Sequence, residues 1–508
     1  RIRARSLKIP PEDCPMLTPA VHVFAVPLLT CLLTTLLLPA STLAQPDTEV
    51  RRMLFEPVAL VAGVPATEYP LVSFSAAQAE IPVPASEQPL YSNEERDRME
   101  ADIERYLDTI GDSEADEGPY ADQLREDLFN TALLYQKLED HENAIKLFQR
   151  TLNVSRINNG LESLDQVEVL EALAQSYLAM DNIREADAMM DSSYHLQRQR
   201  YGEASTELVP AERKLGDWNT QAFMQRSSIL VNIPRMNVQN FLIDPRNFIN
   251  NTTDPRDTPL WKLYEARTNY ISAIKTLVDQ RNFTHPELME LERKLLTNFL
   301  LSMHRENILY EPDFYLTRKK SKTASRLNQN AIEMRASEDY LLGLESHKRR
   351  MAYLVSDDNR TPAQLVTAML EAADWDLLFE HKTEAEEKYN AAYRFFSENP
   401  QFEQGAHAGM YPAIPVVLPT YLPPPNSREK LGIAANAKVN YFGYIDMSLS
   451  LTRFGKARRI KQIGKGGEIT RNMEIRLNQY LRNLLFRPRY AGSEVDTGTI
   501  TLRYYIGL

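Results

Sequence analysis

Only two cysteines occur in the 508 residues, Cys14 and Cys31. Both precede residue 45, so removal of an N-terminal leader would leave a chain without a thiol. Such a chain has no disulfide, no Cys-based metal site and no cysteine nucleophile. A lack of cysteine is compatible with an oxidising compartment. Histidine is almost as sparse. Beyond the leader stand His141, His195, His285, His304, His347, His381 and His407. None is placed with a second His or a Glu in the H-E-x-x-H arrangement that sets two imidazoles on one helix face. Surface, turn or capping roles are expected for all seven. There is no G-x-S-x-G nucleophile elbow. "GKGGE" (464–468) lacks the spacing of a phosphate loop and the Ser or Thr that would follow it, and it reads as a flexible loop between a strand and a helix. No catalytic, cofactor-binding or metal-binding residue is assigned, and enzymatic activity is not expected. Positive charge is also short. Lys and Arg total 58 against 69 Asp and Glu, a net charge of −11. That balance argues against a nucleic-acid binder as a whole, because phosphate contacts need clustered Lys and Arg.

One long hydrophobic run is present. "RIRARSLK" supplies positive charge, Val21 to Leu38 is uncharged, and Thr42-Leu43-Ala44 offers small residues at a cleavage point. This pattern predicts a signal peptide over 1–44. The alternative is an uncleaved anchor, since the run reaches the lower limit for spanning a bilayer. Membrane contact is expected only in that case.

Residues 45–91 read as an extended or irregular segment. From 92 to 110 apolar residues recur at helical spacing, at Met99, Ile103, Tyr106, Leu107 and Ile110. An internal repeat follows. "TALLYQKLEDHENAIKLFQRT" (131–151) aligns with "LAQSYLAMDNIREADAMMDSS" (173–193), with Ala132 and Ala174, Tyr135 and Tyr177, and Ala144 and Ala186 each 42 apart. Repeats of this length mean stacked helix pairs, in which small residues let two helices approach and large ones fill the space between them. The pattern resembles the tetratricopeptide family, in the 42-residue units of kinesin light chains. The next unit opens at Leu215-Gly216-Asp217-Trp218. Its second helix is delayed by an Asn- and Pro-rich insertion and resumes with Ala266, Tyr270 and Ala273. A fourth unit takes helices from 288–302 and about 325–355. A fifth, 371–396, repeats the small-small-Asp-Trp pattern and carries Ala385, Tyr389 and Ala392. The repeat region is thus expected over 92–397, with five units between 124 and 397 and inserted loops at about 228–260 and 303–324.

Pro400 ends the last helix, and a Pro-rich linker is expected over 398–437. It reads as a semi-rigid spacer or a strap packed on the repeats, or else as a ligand for a groove-binding domain. Beyond it, residues 438–508 carry 13 Lys and Arg against 5 Asp and Glu, so this basic end could dock on the acidic array. The patterning predicts strand, turn at Phe454-Gly455-Lys456, strand, helix over 469–485, and a closing strand. The piece resembles the C-terminal domain of the TonB family. Gly443-Tyr444-Ile445-Asp446, the Gly455 turn and Phe486-Arg487-Pro488 carry the resemblance. It implies that the final strand leaves an open sheet edge onto which a partner's extended segment adds. Thr499, Thr501, Arg503 and Tyr505 are the candidate edge residues. It also implies a Gram-negative host and hence a periplasmic location.

The expected fold class is therefore mainly α, a helical-repeat solenoid followed by a small α+β (β-β-α-β) domain. Tetratricopeptide arrays bind peptides on the concave face of their first helices. The resemblance places Glu126, Phe129, Leu133, Gln136, Glu168, Glu171, Gln175, Leu178, Arg213 and Asp217 there; the other reading of these positions is a solvated helix face. The expected function is a non-enzymatic periplasmic scaffold or adaptor. A membrane-anchored, TonB-like energy transducer is the alternative. Its partners would be proteins or peptides, with envelope proteins as candidates, and not nucleic acid. No cofactor is implied, and the oligomeric state is left open.

Overall fold

A computed structural model describes residues 53–60, 91–226, 259–303, 326–399, 409–424, 426–431, 439–491 and 494–507. The expected leader, most of segment 45–91, nearly all of both inserted loops and parts of the linker lie outside the described residues. No described helix is long and apolar enough to cross a membrane.

The chain is mainly helical and ends in a small α+β module. Helix α1 (Asn93–Glu117) precedes five helix pairs. These are α2 (Leu124–Lys137) with α3 (His141–Asn159), α4 (Gln166–Ala179) with α5 (Ile183–Tyr201), α6 (Val209–Arg226) with α7 (Pro259–Asp279), α8 (Pro286–Met303) with α9 (Arg326–Ser356), and α10 (Pro362–Leu378) with α11 (Lys382–Glu398). The five units expected from the repeat are present. Ala132, Ala144, Ala174 and Ala186 are fully buried, and Phe148 and Met190 fill the space beside them. In the third unit Gly216 replaces the alanine. A Cβ there would lie 2.4 Å from the Tyr270 ring, so glycine admits the aromatic side chain.

The tight turns within units share one conformation. Glu139, Asp181 and Glu380 have positive φ, and the next residue's N–H returns to a carbonyl five residues back, as in Asp140 to Tyr135 at 2.9 Å and Asn182 to Tyr177 at 2.8 Å. Helix ends show a second register. Gly118, Gly160 and Gly202 all have positive φ and follow α1, α3 and α5. They stand one 42-residue period apart, so α1 occupies the place of a second helix before the first full pair.

In the terminal module β1 (Leu54–Ala59), β3 (Tyr441–Leu451), β4 (Ala457–Gly467) and β8 (Thr499–Gly507) form one antiparallel sheet, ordered β1-β8-β3-β4. Between β1 and β3 in the chain come β2 (Val417–Leu418) and the short helix α12 (Arg428–Leu431). After β4 come α13 (Arg471–Asn483), β5 (Leu485–Phe486), β6 (Tyr490–Ala491) and β7 (Glu494–Val495). Helix α13 lays Met473, Leu477 and Leu481, four residues apart, onto the sheet beside Ile445, Met447, Leu502 and Tyr504. Phe486 is buried in this core. Gly455 turns the hairpin at φ +73 and accepts the Phe486 N–H at 2.9 Å; an added Cβ would strike the Phe486 carbonyl.

Residues 54–59, within the segment expected to be extended or irregular, form a strand. Two expectations are corrected. Residues 464–467, expected as a loop, continue β4. The final strand lies inside the sheet, paired with β1 on one side and β3 on the other.

Candidate functional site

The ten residues placed on the first helices have unequal fates. Glu126, Glu168 and Gln175 are exposed. The rest are engaged in packing or in ties between helices. Phe129 packs on Phe148 with ring centroids 5.7 Å apart, and Leu133 and Leu178 close hydrophobic clusters. Gln136 Nε2 donates to Ala172 O at 2.9 Å and Ser176 Oγ at 2.8 Å, tying α2 to α4. Glu171 accepts from Ser193 Oγ at 3.2 Å and Lys214 Nζ at 2.6 Å. Asp217 accepts from Tyr270 Oη at 2.9 Å and faces Lys294 Nζ at 3.0 Å. Arg213 lies 3.3 Å from Glu287.

The residues proposed for an open edge belong to a central strand. Thr499 is exposed and pairs with Ser450, and Thr501 accepts the Leu60 N–H at 3.2 Å through its carbonyl. Arg503 is buried. It forms a two-pronged pair with Asp446, at 2.8 and 3.0 Å, under the Tyr444 ring. Tyr505 is buried and meets Tyr441 edge-on. Side-chain chemistry on this strand therefore holds the sheet's second face together.

A different cluster joins the module to the array. Arg487, after α13, reaches the buried carboxylate of Asp374 on α10, with Nε 3.0 and 3.1 Å from its two oxygens. Tyr389 of α11 donates to the same Asp374 at 2.5 Å. Around them Leu418, Tyr490 and Met410 pack on Val366, Leu370 and Ala385, and Arg453 pairs with Glu386. The Pro-rich stretch is a strap here. Val416 O accepts the Arg487 N–H at 2.9 Å, and β2 pairs with β5. Tyr421 inserts between Arg350, at 3.2 Å, and His347, at 3.4 Å. Arg350 in turn holds Glu371 at 2.6 Å.

Burial shapes the protonation of this cluster. Burial opposes the Arg487 charge, but Asp374 outweighs it and holds the guanidinium above its ordinary range. Burial and the Asp374 carboxylate push the Tyr389 phenol well up. Burial, then Arg350 and Lys388, push His347 well below the usual histidine range, so it is neutral. His347 is therefore a core residue, against the expected surface role. His381 caps no backbone group; its ring stacks on Tyr340 with centroids 3.9 Å apart. His304 and His407 lie outside the described residues.

The joint carried a signal in the sequence. The Asp of the small-small-Asp-Trp pattern receives a tyrosine hydroxyl from the second helix in both units, Asp217 from Tyr270 and Asp374 from Tyr389. Only Asp374 is also met by an arginine of the terminal module. A cleft of about 620 Å³ opens between the second and third units, walled by Tyr194, His195, Arg198 and Tyr264 and floored by Asn219. No cluster of His, Cys, Asp and Glu among the described residues could hold a metal ion.

The tetratricopeptide repeat family matches residues 126–204. These are the two sharpest units, and they define this part of the chain as a protein–protein interaction scaffold. No curated protein matches the chain in sequence. Among solved structures, BtubC (BKLC) from P. vanneervenii is 13% identical. The match covers 60% of this chain and 91% of that one, with a TM-score of 0.33. A putative kinesin light chain from Podosopora anserina, with nearly identical TPR-like repeats, is 12% identical. That match covers 56% of this chain and 99% of the other, with a TM-score of 0.31.

Proposed function

We propose that the protein is a non-enzymatic periplasmic adaptor that holds a protein partner on its helical array and presents a TonB-like module at a fixed position beside it. The observation that carries this reading is the buried joint, in which Arg487 meets Asp374 while Tyr421 of the strap packs against the fourth and fifth units. A flexible tether would need no such buried ion pair. The joint suits a scaffold that sets the spacing of two partners. The exposed acidic positions Glu126 and Glu168 favour a basic or polar segment on the array. The test is N-terminal sequencing of the native protein from separated periplasmic and inner-membrane fractions. A soluble chain starting at Gln45 is the expected outcome. An intact leader in the membrane fraction would replace the adaptor with an anchored transducer.

A further inference from the structure

The cleft beside the second and third units has a volume of about 620 Å³, within the usual range for a small-molecule site. It does not lie on the face proposed for the partner of the array. None of the ten first-helix candidates lines it. On α6 it is lined by Leu215 and Asn219. Each stands two residues from Arg213 or Asp217, about 200° round the helix. The opposite side of α6 therefore faces the cleft, and the second helices α5 and α7 supply Tyr194 and Tyr264 to it.

The cleft asks for little charge. Its two arginines and two carboxylates are already engaged. Arg156 Nε donates to Gln166 Oε1 at 2.9 Å, and Arg198 donates to the Tyr194 hydroxyl. Glu265 accepts from Trp261 Nε1 at 2.7 Å and Lys262 Nζ at 3.2 Å, and Asp191 has a partner too. Apolar groups are left over instead. Leu161 is 74% exposed and Tyr264 59% exposed, though both line a concave site. One polar demand is also unmet. Asn219 is 2% exposed, and its Oδ1 accepts no hydrogen bond among the described residues. A buried acceptor without a donor is a rare feature of a folded chain. The complement is a flat apolar body with a single donor. Indole meets this description, because its N–H donates and the ring system accepts nothing. A phenol would bring a lone pair that needs a donor of its own.

We propose that this cleft binds a neutral aromatic group of the indole class, with its ring covered by the apolar lining and its N–H on Asn219 Oδ1. The group is either a free indole compound or a tryptophan side chain of another protein. The site depends on neither the cellular location nor the partner held on the first helices.

The test uses the full chain with indole and 1-methylindole, with calorimetry for affinity and hydrogen exchange for location. The methyl group removes the donor and keeps the ring. Indole should bind at least about fivefold more tightly, the equivalent of one hydrogen bond at ~1 kcal/mol. Amide exchange should slow within 191–198 and 264–269. Asn219→Leu keeps the bulk of the side chain and removes the acceptor, so the two compounds should then bind alike. Tyr264→Ala should weaken both to the same degree. If Asn219→Leu does not fold, the two compounds on the unaltered protein still decide. Equal binding of the two by the unaltered protein would overturn the proposal. So would binding without protection of those segments, or no binding of either compound. The peptide acetyl-Gly-Trp-Gly-amide separates the sources. Tighter binding than indole assigns the site to a partner's tryptophan, and weaker binding assigns it to a free compound.

Discussion

At the scale of single residues, burial decides more than residue type. Glu212 on α6 is almost wholly buried. Burial pushes its carboxyl up to about 7, against a hydrogen bond from Ser272 that lowers it. The unfolded chain releases this proton near the ordinary carboxylate value of 4.5. Between the two values the folded state holds a proton that the unfolded state has lost. Stability from this group therefore falls as pH rises through that window. Glu212→Gln keeps the shape and removes the charge. Its denaturant midpoint relative to the parent should rise from pH 5 to pH 8. A difference that stays flat across that range would mean that Glu212 titrates normally in the fold. His347 has the opposite sign, because its depressed value makes the folded state resist a proton that the unfolded chain accepts near 6.5.

At the scale of elements, the helices were legible because their repeat imposes two signals at once, apolar spacing within a helix and a 42-residue period between units. Ala385, Tyr389 and Ala392 follow the small-small-Asp-Trp pattern of the fifth unit at the spacing of the family, and all three are buried. The glycines at 118, 160 and 202 carried the same period into α1, and that register could have been read from the sequence as well. Strand β1 could not. "LFEPVA" contains a proline and lies hundreds of residues from its partner. A six-residue segment has too little local pattern to announce a long-range pairing. Its importance follows from packing. Phe55 is buried against Tyr480, with ring centroids 5.0 Å apart, in the core under α13. Phe55→Ala should destabilise the module by about 3 kcal/mol, the usual range for a large-to-small core change. Hydrogen exchange of 499–507 is the readout. Faster exchange there with α2 to α5 unchanged is expected. No change would mean that β1 is an accessory strand.

At the scale of the whole molecule, the array and the module are one mechanical piece because a charge is buried between them. A buried pair contributes little by itself, yet breaking it leaves an unpaired charge and costs about 3–5 kcal/mol. Asp374 has two dependants, Arg487 and the Tyr389 hydroxyl. Asp374→Asn therefore strands a guanidinium in an apolar joint with a poorer acceptor. The position in the sequence looked like a repeat signature, and its second role emerged only when Arg487 arrived from 113 residues away. The coupling is measurable as a double-mutant cycle. Asp374→Asn and Arg487→Met should each lower the denaturant stability of the fifth unit and the module together. Because the second change removes the charge that the first leaves unpaired, the double variant should lose less than the sum of the two. Additive losses would mean that the two residues act separately, and that apolar packing of Leu418, Tyr490 and Met410 on α10 holds the module in place. A non-additive result would identify the ion pair as the element that fixes the module's position on the array.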